Sequence, residues 1–140
     1  IKDWWESEDD VTLITRPRRF GKTLNLDMMN CFFSTEYENR ADLFENLKIW
    51  EHEEYREMQG KYPVIFLSFA GIKERDYKSA VYRIISVIKK VYSNYLFLLE
   101  SPKLLKHEKA YFENCLLRID EIDIPDTINQ LCYFLSKHYC

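Results

Sequence analysis

The sequence predicts an α/β chain built on a parallel sheet, and three observations carry that prediction. A short β-branched run at residues 11–15 passes directly into an amphipathic helix, a second apolar run occupies 64–69, and stripes of helical period fill most of the chain beyond residue 76. Strands that read as apolar on both faces are the buried, parallel kind, with helices covering each side.

Taken in order, residues 1–6 read as the end of a helix whose Trp4 and Trp5 pack on the domain; core aromatics are a plainer reading of this pair than a base-stacking platform. Asp9 and Asp10 turn the chain into the first strand, 11–15. Residues 22–34 form the first long helix, because Leu24, Met28, Cys31 and Phe32 recur at helical spacing while Leu26, Met29 and Phe33 widen the apolar face, which is expected to pack on a sheet. A short helix is expected at 41–47, and the charged stretch 51–58, ending at Gly60, is ambiguous. Pro63 introduces the second strand, 64–69. From Asp76 the period changes, and Tyr77, Ala80, Val81, Ile84, Ile85, Ile88, Val91, Tyr92, Tyr95, Leu98 and Leu99 mark one core-facing helical stripe. Ser101 followed by Pro102 reads as an N-cap and first helical position, leading a helix through Tyr111, Phe112, Cys115 and Leu116. Pro125 opens a last helix with Ile128, Leu131, Cys132 and Leu135 on its apolar side.

At 140 residues, 46% hydrophobic and a formal charge of −3, the chain is sized for one globular domain, and its charge excludes a general nucleic-acid coat or a disordered tail. It has no apolar run near the ~20 residues of a membrane span and no signal-peptide layout at its start, so the cytoplasm is the expected compartment. The first residue is not methionine and lies inside what reads as a helix, so the chain is expected to be a piece of a longer protein. Cys31, Cys115, Cys132 and Cys140 form no C-x-x-C pair and share no ligand spacing with His52, His107 or His138. Reduced, mostly buried thiols and surface histidines are expected instead of a zinc site or a disulfide framework.

The segment with the most chemistry in it is Arg16-Pro17-Arg18-Arg19-Phe20-Gly21-Lys22-Thr23, set between the first strand and the first helix. A polyphosphate needs converging backbone N–H groups, a helix N-terminus, a flexible cation and a hydroxyl for magnesium, and Gly21, Lys22 and Thr23 supply the end of that set in order. The usual spelling places a glycine five residues before Gly21, where this chain has Arg16; Pro17 instead fixes φ near ~−65° and gives up one donor. Arg16, Arg18, Arg19 and Lys22 put four cationic side chains within seven residues, a concentration that needs an anion or acidic neighbour. The plain alternative is that Gly21 ends a turn and Lys22 and Thr23 begin a solvated helix.

The stretch from Thr12 to Leu26, with its Arg-Pro-Arg-Arg-Phe-Gly-Lys-Thr spelling, resembles the AAA-ATPase-like domain family of bacteria and archaea, predicted P-loop ATPases in which the glycine is habitually replaced. Phe32-Phe33, Asp42-Leu43-Phe44, Leu47-Lys48-Ile49-Trp50 and the run from Gln59 to Phe69 are similar to the family in the same order. The resemblance implies a P-loop NTPase fold (three-layer α/β/α with a parallel sheet), of which residues 1–140 would be the N-terminal portion, helix-rich, with two strands and an end ahead of the acidic Walker B strand. It also implies ATP and Mg2+ as cofactors, held by Arg18, Arg19, Phe20, Gly21, Lys22, Thr23 and Leu24, with Thr23 on the metal. Family members are often fused to a PD-(D/E)XK nuclease-like domain, which would then be a partner in the parent chain. In such folds the loop-bearing strand and the next strand in sequence are not neighbours, so residues 11–15 and 64–69 would each lack a pairing partner, and the piece is expected to be marginal or rearranged.

No catalytic residue is identified. Leu116-Leu117-Arg118-Ile119-Asp120-Glu121 imitates a Walker B strand, but Arg118 interrupts it and β-branched residues are scarce, so Asp120, Glu121 and Asp123 read as solvated helix-start charges. The expectation is therefore nucleotide binding as part of an ATPase whose hydrolytic machinery is not identifiable here. A rival is a nucleic-acid or protein-binding module in which Arg16, Arg18 and Arg19 grip phosphodiesters, which leaves Gly21 and Thr23 unexplained; a third is a helical assembly scaffold, which says nothing about residues 16–23.

Overall fold

A computed structural model describes residues 1–15, 17, 19–119 and 124–140. The chain divides into two compact units, Ile1–Val64 and Ile65–Cys140.

The first unit holds α1 (Lys2–Glu6), α2 (Lys22–Phe33) and α3 (Glu53–Met58), with three short 3-10 turns between α2 and α3. Phe32, Phe33, Phe44 and Tyr55 form its buried centre, so the apolar stripe of α2 is buried at its C-terminal end. Trp5 stacks on Phe33 with ring centroids 5.3 Å apart, and Phe44 meets Phe32 edge-on at 5.0 Å, geometries that suit the ring quadrupole. Both tryptophans rest on Phe33 but stay 37% exposed, so they cover the edge of this centre and are not buried in it as expected. After α2 the main chain is closed by a parallel bridge between Ser34 and Tyr62, with Tyr62 N–H donating to the Phe33 carbonyl and Thr35 N–H to the Tyr62 carbonyl. Gly60 makes this closure feasible. Its φ is +70°, its N–H donates to the Phe32 carbonyl, and a Cβ there would lie 2.3 Å from the Glu38 Cα.

The second unit packs α4 (Tyr77–Ser93), α5 (Lys106–Leu117) and α6 (Ile124–Tyr139) around one larger apolar cluster. Asp76 caps α4 by accepting from Ser79 N–H, as its position before the stripe requires. Ile88, Val91 and Tyr92 of α4 meet Phe112 and Cys115 of α5 and Leu131, Phe134 and Leu135 of α6, all buried. The buried Tyr92 hydroxyl donates to the Thr127 carbonyl at 2.6 Å. Burial, and then the Cys115 thiol beside it, raises the Tyr92 phenol above its ordinary value, so it remains a donor.

The expected parallel-sheet, three-layer α/β/α P-loop fold is not what forms: the structure is helix-rich, with no strand or sheet among the described residues. The reason is pairing. Residues 11–15 enter no ladder, and Val11 and Leu13 remain 85% and 84% exposed. In 64–69, Ile65 and Leu67 reach the second unit's cluster while Phe66 and Phe69 are exposed, so one face is covered and not two. With no sheet to receive it, the N-terminal half of α2 leaves Leu24 and Leu26 exposed.

Three smaller expectations also change. Ser101 does not cap a helix: it is buried, and the helix begins five residues later, where Glu108 accepts from Leu105 N–H in half of a capping box. His138 is half-buried and lies 2.8 Å from the Ser101 hydroxyl. All four cysteines are free, but among them Cys115 alone is buried; Cys132 and Cys140 are exposed.

Candidate functional site

The site is a turn ahead of α2. Gly21 is the N-cap residue, held in the left-handed region at φ +72°, with open space where a Cβ would project. Glycine is used there for its backbone freedom, since no neighbour demands a missing side chain. Two residues earlier Arg19 also has positive φ, +68°, an uncommon conformation for a residue with a Cβ. Two left-handed residues so close together bend the chain sharply into the helix.

Lys22 is the first helical residue, and its ammonium turns back to donate to the Pro17 carbonyl at 3.3 Å. This spans the loop from its far end to its near one. The turn encloses an open hollow of about 390 Å³ lined by Pro17, Arg19, Phe20, Gly21, Lys22, Thr23 and Leu24. Of the seven residues expected at a nucleotide, the structure brings six around this hollow; Arg18 lies outside the described residues, as does Arg16. Pro17 is the residue that sequence reasoning did not place in the site. The signal was present in the substitution of Arg16-Pro17 for the usual glycine turn, and the proline carbonyl is what the lysine uses.

Electrostatically the hollow favours an anion. Among the described residues its lining includes Arg19 and Lys22 and no carboxylate. The first turn of α2 has no acidic residue, and no side chain caps it. The amides of a helix's first turn have no intrahelical acceptor, and the dipole of a 12-residue helix adds partial positive charge at that end. Phe20 is 62% exposed, an apolar ring at the rim.

A divalent cation alone is not provided for. The lining offers one hydroxyl, on Thr23, and no group of metal-ligating side chains occurs among the described residues. Magnesium binds proteins through few carboxylates plus substrate phosphates, so a lining with a hydroxyl and cations is compatible only with a metal that arrives with phosphates. Asp120 and Glu121, the acidic end of the Walker B look-alike, and the nearby Asp123 lie outside the described residues. None of the described helices is long and apolar enough to cross a membrane.

The chain matches no curated protein and no solved structure. A family model described as "Predicted AAA-ATPase", the AAA-ATPase-like family, matches residues 1–133, nearly the whole chain and the whole of the turn ahead of α2. The family's general theme is a nucleotide-binding ATPase role, and the chain belongs to the AAA-ATPase-like family.

Proposed function

We propose that residues 17–24 bind the phosphates of ATP as a variant Walker A turn, in which proline and arginine replace the customary glycine. The observation that carries this is the conjunction at the N-terminus of α2: a left-handed Gly21, a lysine ammonium folded over the turn to Pro17, and a hollow whose described lining has cations and no carboxylate. Amides from Gly21 to Leu24 donate to phosphate oxygens. Lys22 exchanges one oxygen acceptor, the Pro17 carbonyl, for more strongly charged ones on the outer phosphates, and Arg19 adds charge from the rim. Thr23 holds magnesium, which when bound neutralises phosphate charge.

Hydrolysis needs a carboxylate beyond the metal and a group that orients water. The described residues of the lining contain neither. The proposed activity of residues 1–140 is accordingly ATP binding with little turnover. Titration with a fluorescent ATP analogue in the presence of magnesium tests it: Lys22→Ala is expected to abolish saturable binding, and unchanged affinity overturns the proposal. Binding of an oligonucleotide that falls steeply with salt and is not displaced by ATP would point instead to a phosphodiester ligand.

A further inference from the structure

A second and larger hollow lies in the first unit, and its chemistry is opposite to that of the phosphate turn. It measures about 640 Å³ and is lined by Trp4, Trp5, Glu6, Glu8, Asp9, Glu54, Tyr55 and Met58. Three aromatic side chains and a thioether supply the walls, four carboxylates supply the charge, and no lysine, arginine or histidine among the described residues is in the lining. Such a site repels a polyphosphate. We propose that it binds a small organic cation, an ammonium or guanidinium group on a short apolar stem.

Two observations besides the acidic residues support that ligand. The first is the wall: the Trp4 and Trp5 rings lie 6.4 Å apart and tilted by 59°, and Trp5 is fixed from behind by stacking on Phe33. The indole of Trp4 is fixed as well, donating to the Thr12 hydroxyl at 2.9 Å. Aromatic faces of this kind attract cations through their quadrupole, tryptophan most strongly. The second is that the chain already sets a cation at the edge of the hollow. Lys2 Nζ lies 5.8 Å from the centre of the Tyr55 ring and 3.8 Å from Glu6 Oε1.

Tyr55 orders this edge. It is 4% exposed, and its hydroxyl donates to Glu6 Oε1 at 2.7 Å, leaving the second carboxylate oxygen for a ligand. Glu8, Asp9 and Glu54 are exposed around the rest of the rim, where they draw in a cation without the desolvation cost of buried charge. An ammonium alone would remain hydrated. The apolar stem is what the indoles and Met58 add, since they cover methylene groups as well as charge.

Titration of the whole chain with butylguanidinium and with spermidine, followed by tryptophan fluorescence, tests the proposal, with uncharged butylurea as the comparison. Both cations are expected to give a saturable change and butylurea none. The double variant Glu8→Gln/Glu54→Gln is expected to weaken binding about tenfold, the effect of two exposed charge pairs together. Lys2→Met, which removes the competing internal cation, is expected to strengthen it, an effect of opposite sign that a general loss of structure cannot imitate. Equal response to butylurea, or affinity unchanged in both variants, overturns the assignment. Lys22→Ala is expected to leave cation binding intact, so the outcome is separate from that of the ATP proposal.

Discussion

Gly21 and Gly60 have nearly the same φ, +72° and +70°, yet they answer to different constraints. At Gly21 a Cβ would project into open space, so an alanine there meets only the intrinsic cost of the left-handed region, about 1 kcal/mol. At Gly60 the Cβ would fall 2.3 Å from the Glu38 Cα, and backbone cannot rotate aside as a side chain does. Gly60→Ala is therefore expected to destabilise by about 2–4 kcal/mol, combining strain with a forced main-chain shift. Urea denaturation of both variants checks this: Gly60→Ala moves the midpoint well below that of Gly21→Ala, and equal midpoints would remove the argument. Gly21→Ala instead alters the shape of the turn, and its main effect is expected on nucleotide affinity. Gly21 was legible from sequence because it sits in a motif. Gly60 was legible as the end of a segment, but its close neighbour Glu38 is distant in sequence.

Among the elements, the helices whose starts are written locally were the ones legible in advance. Asp76 before an apolar stripe, and Pro125 before Ile128 and Leu131, mark α4 and α6 by chemistry that acts within one turn. Ser101-Pro102 has the same local spelling and does not start a helix, because Ser101 is drawn into a contact with His138, 37 residues away. The start of α5 is set instead by Glu108, which accepts from Leu105 N–H at 2.6 Å and from the Lys137 ammonium at 2.8 Å, tying the start of α5 to the end of α6. The Lys137 bond first, and then the Leu105 amide, hold the Glu108 carboxyl below its ordinary value of 4.5, while Glu108 holds Lys137 above its ordinary 10.5. A depressed carboxyl stabilises the fold fully above about 4.5 and loses that contribution as pH falls through its folded value. The raised lysine contributes fully below about 10.5 and loses its share as pH rises through its own folded value. Glu108→Gln keeps an acceptor for Leu105 and removes the charge. The variant is expected to unfold at lower urea than the parent at pH 7, with the difference shrinking at pH 3; a gap that is the same at both pH values would show that the ion pair contributes nothing.

For the whole molecule, the lesson of the missing sheet is that a strand is a property of a pair, whereas a helix bonds within itself. Residues 11–15 and 64–69 have strand composition and form no ladder, while α4 and α6 satisfy their own backbones and need only a shared apolar face. Family membership and the turn ahead of α2 were readable from a contiguous spelling. The acidic hollow was not, because Glu54 and Tyr55 reach it from a segment almost 50 residues after Trp4 and Trp5. The two units also have separate apolar clusters, one around Phe32 and Phe44, the other around Tyr92, Phe112 and Phe134. Phe32 and Phe112 are both fully buried, and truncating either to alanine is expected to cost about 3–5 kcal/mol at that site. If each cluster holds its own unit, Phe32→Ala should lower amide-exchange protection in α2 and α3, whereas Phe112→Ala should lower it in α4, α5 and α6. Residue-resolved hydrogen exchange distinguishes these patterns, and the same loss throughout the chain in both variants would mean that the two clusters act as one. Should the patterns separate, nucleotide titration of Phe112→Ala gives the further check that residues 17–24 keep their affinity while α4 to α6 loosen.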